Sequence, residues 1–157
     1  MKKLLLWAVL PLLVCFPAFA QTGPDTAGPK MAFGLGPEWN MNSRNNFAAG
    51  AAMSFDYNAL PDFAVGAVFS ASYNFNGFST LEPVFLLRYY FPSSDSFFIQ
   101  TDMGAFIFFE DGDVTPLFLV GLRGGLRIPL GSYYVEPYGR IGYPFAFGFG
   151  VMAGILF

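Results

Sequence analysis

Residues 143–157 read Y-P-F-A-F-G-F-G-V-M-A-G-I-L-F. From Phe145 on, the odd positions carry Phe, Phe, Phe, Val, Ala, Ile and Phe. The even positions from Ala146 carry Ala, Gly, Gly, Met, Gly and Leu. Large apolar groups recur at every second residue, which is the period of a strand; a helix would smear them around its circumference. In a soluble antiparallel sheet the second face is normally polar and wet. Here it is small and uncharged, so it faces a crowded space. Residues 141–157 are also the best candidate for a membrane helix. They are too short for one and hold four glycines.

Working back toward the start, the same alternation recurs in seven further segments. They are 30–39, 47–57, 63–75, 80–91, 97–110, 114–128 and 133–143. Residues 40–46 read as a loop, and 58–62 as a turn around Pro61. Asn76-Gly77 is the strongest short hairpin signal in the chain. Further turns fall at 92–96, at Asp111-Gly112-Asp113, around Gly131, and at Tyr143-Pro144. Such short links allow only antiparallel neighbours. The predicted fold is all-β: eight antiparallel strands in an up-and-down meander. Pro37, Pro83, Pro116 and Pro137 fall inside predicted strands. Each lacks an N–H, so each is expected near a strand end or a bulge.

Charge placement gives the alternation its meaning. The strand charges are Lys30, Glu38, Asp56, Glu82, Arg88, Asp102, Glu110, Arg123, Arg127, Glu136 and Arg140. Every one shares a face with the small residues and none lies on the large apolar face. Alternation alone leaves open which face is inside. Three features favour charges inside. The charged face is rich in Gly, Ala and Ser, which suit a narrow interior. The apolar face is too rich to fit within a small barrel. The aromatics also gather at both strand ends. Trp39, Phe47, Tyr73, Phe75, Phe109, Tyr143 and Phe145 mark one rim, and Tyr57, Phe63, Tyr89, Phe91, Phe97, Tyr133 and Phe157 the other. Two girdles around an apolar band are an outer-membrane arrangement. Lipid leaves no backbone group unpaired, so the sheet must close, strand one against strand eight. The charged residues, five basic and six acidic, then form an interior ion-pair network. Arg123, Arg127 and Arg140 are expected to meet Asp102, Glu110 or Glu136, because unpaired buried charge is costly.

Composition agrees with a second apolar solvent. Of 157 residues 20% are aromatic and only 12% charged, with 21 Phe and 18 Gly. A soluble domain carries roughly 25% charge. The chain opens like a secretory signal peptide over residues 1–20. Lys2 and Lys3 precede an apolar run, and Ala18-Phe19-Ala20 forms a small-x-small cleavage site. An uncleaved anchor and a lipoprotein site at Cys15 are the rival readings. Residues 21–29 read as a flexible leader, and residues 30–157 as the barrel domain. Cleavage near Ala20 removes the only cysteine, leaving no disulfide and no thiol nucleophile.

The chemistry of catalysis is hard to place. No His is present, which removes the commonest general base and metal ligand. Ser70 and Ser72 read as small interior residues, and the pair Asp102 and Glu110 as ion-pair partners rather than an acid–base couple. Asp111-Gly112-Asp113 reads as a turn, with too few ligands for a calcium site. The net charge of −3 and the lack of a basic run point away from nucleic acid. The expectation is no enzyme, no cofactor and no metal.

The chain resembles the small eight-stranded outer-membrane proteins of Gram-negative bacteria, the OmpA-transmembrane-domain and OmpX-like group. The resemblance rests on signal peptide, alternation, girdles and the aromatic Phe157; no residue motif carries a functional residue over. It implies outer-membrane localisation, lipid around the belt, and assembly machinery that reads the last strand through Ile155 and Phe157. It also implies periplasmic termini, which makes the external loops short. Trp39, Arg44 and Asn45 would offer a contact surface to an unknown loop partner. Three functions stay open: a structural barrel with a plugged, charged interior, a small pore for ions or solutes, and a secreted soluble barrel with an apolar ligand inside.

Overall fold

A computed structural model describes residues 31–42, 47–74, 77–92, 96–110 and 112–157. The segments 1–20 and 21–29, together with Lys30, Arg44, Asn45, Phe75 and Asp111, lie outside the described residues. The strands are β1 (Met31–Asn42), β2 (Phe47–Leu60), β3 (Phe63–Tyr73), β4 (Phe78–Tyr90), β5 (Phe97–Glu110), β6 (Asp113–Leu126), β7 (Ile128–Leu130), β8 (Tyr133–Tyr143) and β9 (Phe145–Leu156). No helix among the described residues is long and apolar enough to cross a membrane.

The nine strands make eight staves. β6 and β7 are one stave interrupted at Arg127. Gly125 pairs with Tyr138 of β8 and Ile128 pairs with Val135, so the register carries straight through the break. Neighbouring staves are antiparallel in sequence order, and β1 pairs with β9, which closes the sheet. The chain is a closed eight-stranded antiparallel barrel with an up-and-down meander. At the tight turns Gly112 and Gly131 take φ of 88° and 72°, a backbone that favours glycine.

Barrel size follows from the register. Met31 pairs with Tyr57, Tyr57 with Val65, Val65 with Leu87, and Leu87 with Thr101. The path runs on through Leu122, Ile141 and Phe147 and returns to β1 at Met41. One circuit thus climbs from position 31 to position 41. With a rise of about 3.3 Å per residue and about 4.8 Å between strands, this tilts the staves by about 40° and gives a backbone radius of about 8 Å. Such a lumen is narrow enough for side chains to fill.

The faces are inverted relative to a soluble sheet. Arg88 is fully buried, whereas Phe118 is 62% exposed. Phe33, Leu35, Met53, Phe69, Leu87, Met103 and Leu122 all point outward, while Glu38, Asp56, Glu82, Asp102, Arg123 and Glu136 are buried. This burial contradicts the soluble-barrel alternative, which required charges outside. The lumen also holds an apolar cluster that includes Val68, Leu86, Phe98, Leu119 and Met152.

Several local expectations change. β1 runs through Asn40 to Asn42, and β4 begins at Phe78, so the strands reach further into the first two loops than the alternation implied. Three of the four prolines sit in mid-strand rather than at an end. Pro37 pairs in step with Ala51 of β2 but is skipped in the β1–β9 ladder. Pro83 pairs with Phe69 and is skipped toward β5, and Pro137 pairs with Val151 and is skipped toward β6. In an antiparallel ladder a residue's N–H and C=O point to the same neighbour, so a missing donor weakens one side only. Pro116 lies beyond the β6–β8 ladder, which begins at Val120. Phe145 is the other departure. It is 3% exposed and points inward, because the β1–β9 register shifts between Met41 and Asn42.

Closure is directly testable. In a chain begun at Gln21, which lacks Cys15, Leu35→Cys combined with Ala153→Cys places two thiols on directly paired residues of β1 and β9. Oxidation is expected to cross-link them, read as a reduction-sensitive change in gel mobility. The offset pair Leu35→Cys and Ile155→Cys is expected to cross-link far less.

Candidate functional site

The buried charges of the lumen form two separate groups. The one nearer Met31 and Phe157 is a ring of four. Arg88 of β4 donates from Nη1 and Nη2 to the two carboxylate oxygens of Glu136 on β8, both at 2.9 Å. Arg127, at the β6–β7 break, donates two bonds to Asp56 of β2, at 3.0 and 2.8 Å. Its Nε donates to Glu136 at 2.7 Å. Arg88 lies 3.5 Å from Asp56 and completes the ring. Two cations and two anions balance, and the bidentate forks fix the geometry. Arg88 also donates to Gln100 at 2.8 Å and lies over the Phe98 ring at 4.1 Å. Arg127 lies over the Tyr134 ring at 4.4 Å.

The second group, nearer the loops between staves, is an open chain. It runs Glu82–Arg140–Glu38–Arg123–Asp102. Arg140 donates to Glu38 at 2.8 Å and also to Glu82. Arg123 lies 3.7 Å from Glu38 and donates through Nε to Asp102 at 3.2 Å. Tyr138 donates to Glu38 at 2.7 Å, and the Asn40 amide donates to both Glu38 and Ser72. Gln100 donates to Asp102 and so touches both groups. Arg123 and Arg140 lie over the rings of Tyr138 and Phe145, at 4.3 and 3.8 Å. Three acids meet two bases here, so the chain ends in a carboxylate at each end.

Glu110 is the exception among the acids. It is exposed at the end of β5, opposite Asp113, and does not join the network. The strand carries it beyond the packed lumen into the mouth of the barrel. There it lines a cavity of about 390 Å³ together with Glu82, Asn40, Thr80, Phe106 and Phe145.

The aromatic rims lie on the outer surface. Phe47, Tyr73, Phe109 and Tyr143 are exposed near the loops, and Trp39 stacks on Phe149 at 5.4 Å. At the terminal end Tyr57 is half-buried and Tyr133 exposed, while Phe63, Tyr89, Phe91 and Phe97 form a continuous run with centroids 4.9 to 5.2 Å apart. Ile155 and Phe157 face outward. The Phe157 backbone exchanges two hydrogen bonds with Met31, at 2.8 and 2.9 Å.

Sequence reasoning did not assign a role to Tyr134, Tyr138, Phe98 or Gln100, although all share the parity of the arginines. That shared parity was the available signal. Phe145 had no such signal, because the register shift reverses its face.

These facts define the class: a small closed barrel with its charges inside and its apolar residues outside. No protein-family model matches the chain, and no curated protein matches its sequence. Solved structures do match. Neisserial surface protein A (NspA) aligns with a TM-score of 0.63 at 10% identity, covering 83% of this chain and 98% of that one. A de novo designed transmembrane β-barrel aligns at 0.48, with 12% identity, 85% of this chain and 100% of that one. Ail, the attachment invasion locus protein of Yersinia pestis, aligns at 0.43, with 12% identity, 82% of this chain and 98% of that one. The NspA likeness is one of fold: this chain has the architecture of the small eight-stranded outer-membrane barrels.

Two variants test the network. Arg127→Met leaves Asp56 and Glu136 short of a buried counter-charge, and the expected loss is about 3–5 kcal/mol of stability. Urea unfolding of the refolded barrel in lipid vesicles reads it. Adding Asp56→Asn is expected to recover part of that loss. In Gly150→Ala the new Cβ would lie 2.5 Å from the Tyr138 hydroxyl and displace the donor to Glu38. About 1–3 kcal/mol is expected from such overpacking.

Proposed function

We propose that this chain is an integral outer-membrane barrel with a structural, membrane-integrity role and no catalytic activity, its lumen plugged by its own ion pairs. One observation carries this reading: the sheet is inverted, with arginines and carboxylates buried and large apolar residues exposed around its circumference. Exposing that belt to water would be unfavourable at about 25 cal/mol per Å², whereas acyl chains meet it without cost. The aromatic rims suit the two lipid–water interfaces. Closure meets the second demand of lipid, that no stave within the apolar belt is an open edge strand.

The plug reading rests on the side chains that cross the lumen. Arg88–Glu136 joins β4 to β8, Arg127–Asp56 joins β6–β7 to β2, and Arg140–Glu38 joins β8 to β1. These bridges span a barrel of about 8 Å backbone radius, leaving little continuous space for water. Acyl chains around the belt and the assembly machinery during insertion are the proposed partners. Export through a signal peptide at residues 1–20 belongs to the same reading.

Fractionation and electrophoresis test it. The mature protein is expected in the outer-membrane fraction and to run at different apparent sizes in SDS when boiled and unboiled. A soluble periplasmic protein with no heat-dependent shift would contradict the proposal. In planar bilayers the purified barrel is expected to give no steady conductance steps. Steady steps abolished by Arg123→Ala would replace the plug with a small pore.

A further inference from the structure

The mouth of the barrel at the loop end is chemically unlike the rest of the lumen. Its cavity of about 390 Å³ is lined by Phe78, Phe106, Phe108, Tyr143 and Phe145, by Thr80 and Thr115, and by two carboxylates, Glu82 and Glu110. Among the described residues no Arg or Lys lines it. A volume of this size falls within the range of small-molecule sites, which combine apolar walls with a few placed polar groups.

The electrostatics are one-sided. The terminal ring balances two arginines against Asp56 and Glu136. The open chain sets Glu38, Glu82 and Asp102 against Arg123 and Arg140, an excess of one negative charge. Its two carboxylate ends differ. Asp102 receives bonds from both Arg123 and Gln100. Glu82 receives one from Arg140 on Oε2, and its Oε1 has no hydrogen-bond partner. Glu82 is only 1% exposed, yet it lines the cavity. Asn40 is 6% exposed and lines the same cavity; its amide nitrogen is used by Glu38 and Ser72, and its Oδ1 is likewise unpartnered. Two residues that line one cavity thus each carry a buried acceptor without a hydrogen-bond partner. Unpartnered donors also occur on Arg123 and Arg140, but neither residue lines the cavity.

From this arrangement we infer that the mouth is a binding site for a small primary alkylammonium ion. A rotation of the Glu82 and Asn40 side chains toward the cavity would bring Oε1 and Oδ1 to its N–H groups, and its charge would offset the excess of the open chain. Its hydrocarbon stem would lie along the phenylalanines, whose ring faces also attract a cation. Glu110 at the rim adds a second negative charge on the path inward. A buried acceptor left without a donor is costly; an ammonium group supplies a donor, as water does, and adds the positive charge that water lacks.

The experiment uses the whole refolded mature barrel in detergent micelles, followed by amide and aromatic NMR. The probe is n-butylammonium chloride, with tetramethylammonium chloride and sodium chloride at matched ionic strength as comparisons. Saturable shifts are expected at Thr80, Glu82, Phe106 and Phe145, with none around Asp56 and Arg127. Tetramethylammonium, which has no N–H to donate, is expected to bind at least tenfold more weakly. Glu82→Gln is expected to weaken n-butylammonium at least tenfold, and Glu110→Gln two- to threefold. Absence of saturable shifts would overturn the inference, as would equal affinity for tetramethylammonium or sodium. Unchanged affinity in Glu82→Gln would do the same. Should Glu82→Gln fail to fold, the comparison of the two ammonium ions on the native protein decides alone.

Discussion

Closure of the sheet on itself is the constraint on which the rest of the structure depends. A strand in an open sheet leaves a row of unpaired N–H and C=O groups at each edge. Here β1 meets β9, and the stave of β6 and β7 meets β8 from Val120 on, so no stave is left as an edge strand. Once eight staves close with the observed offset, the radius is set, and with it the space inside. Every inward side chain must then share a lumen only a few side chains wide. That explains why glycine and alanine alternate with arginine and tyrosine on the inner face. Tyr138 lies against Gly150, and Tyr134 against Gly34 and Gly154.

Confinement also dictates how the charges are arranged. An arginine in this lumen has little water to solvate it, so each lies against carboxylates on other staves and against an aromatic ring. Buried pairs of this kind add little net stability over apolar packing, because desolvation offsets their attraction. Their larger effect is on geometry. The bidentate bonds of Arg88 and Arg127 tie β4 and the β6–β7 stave to β8 and β2 across the lumen. A one-residue slip of any of these staves would turn its charge to the outside.

The fold was largely legible because a strand's period of two is simple and this chain keeps it through long segments. Charges that never stray to the apolar face are a global signal, visible without knowing which stave meets which. The pairing of Arg88 with Glu136, or Arg127 with Asp56, was not legible in that way. It depends on the barrel's offset and on contacts across the lumen between non-neighbouring staves. Phe145 was misplaced for a local reason, a register shift that parity cannot reveal. The prolines are expected near strand ends or bulges, yet a ladder tolerates them in mid-strand because the lost donor points to a single neighbour. Glu110 kept the parity of the network but lies too near the mouth to reach it.

The central claim is that the outward face meets lipid. It is tested most directly by a single tryptophan at Met103, halfway along β5 and facing outward, in a chain begun at Gln21, which lacks Trp7, and carrying Trp39→Phe. In vesicles whose acyl chains carry bromine at graded depths, the Met103→Trp fluorescence is predicted to be quenched most by the deepest bromines and to be insensitive to aqueous iodide. Strong quenching by iodide, with no response to brominated chains, would show that this face meets water and would contradict the account.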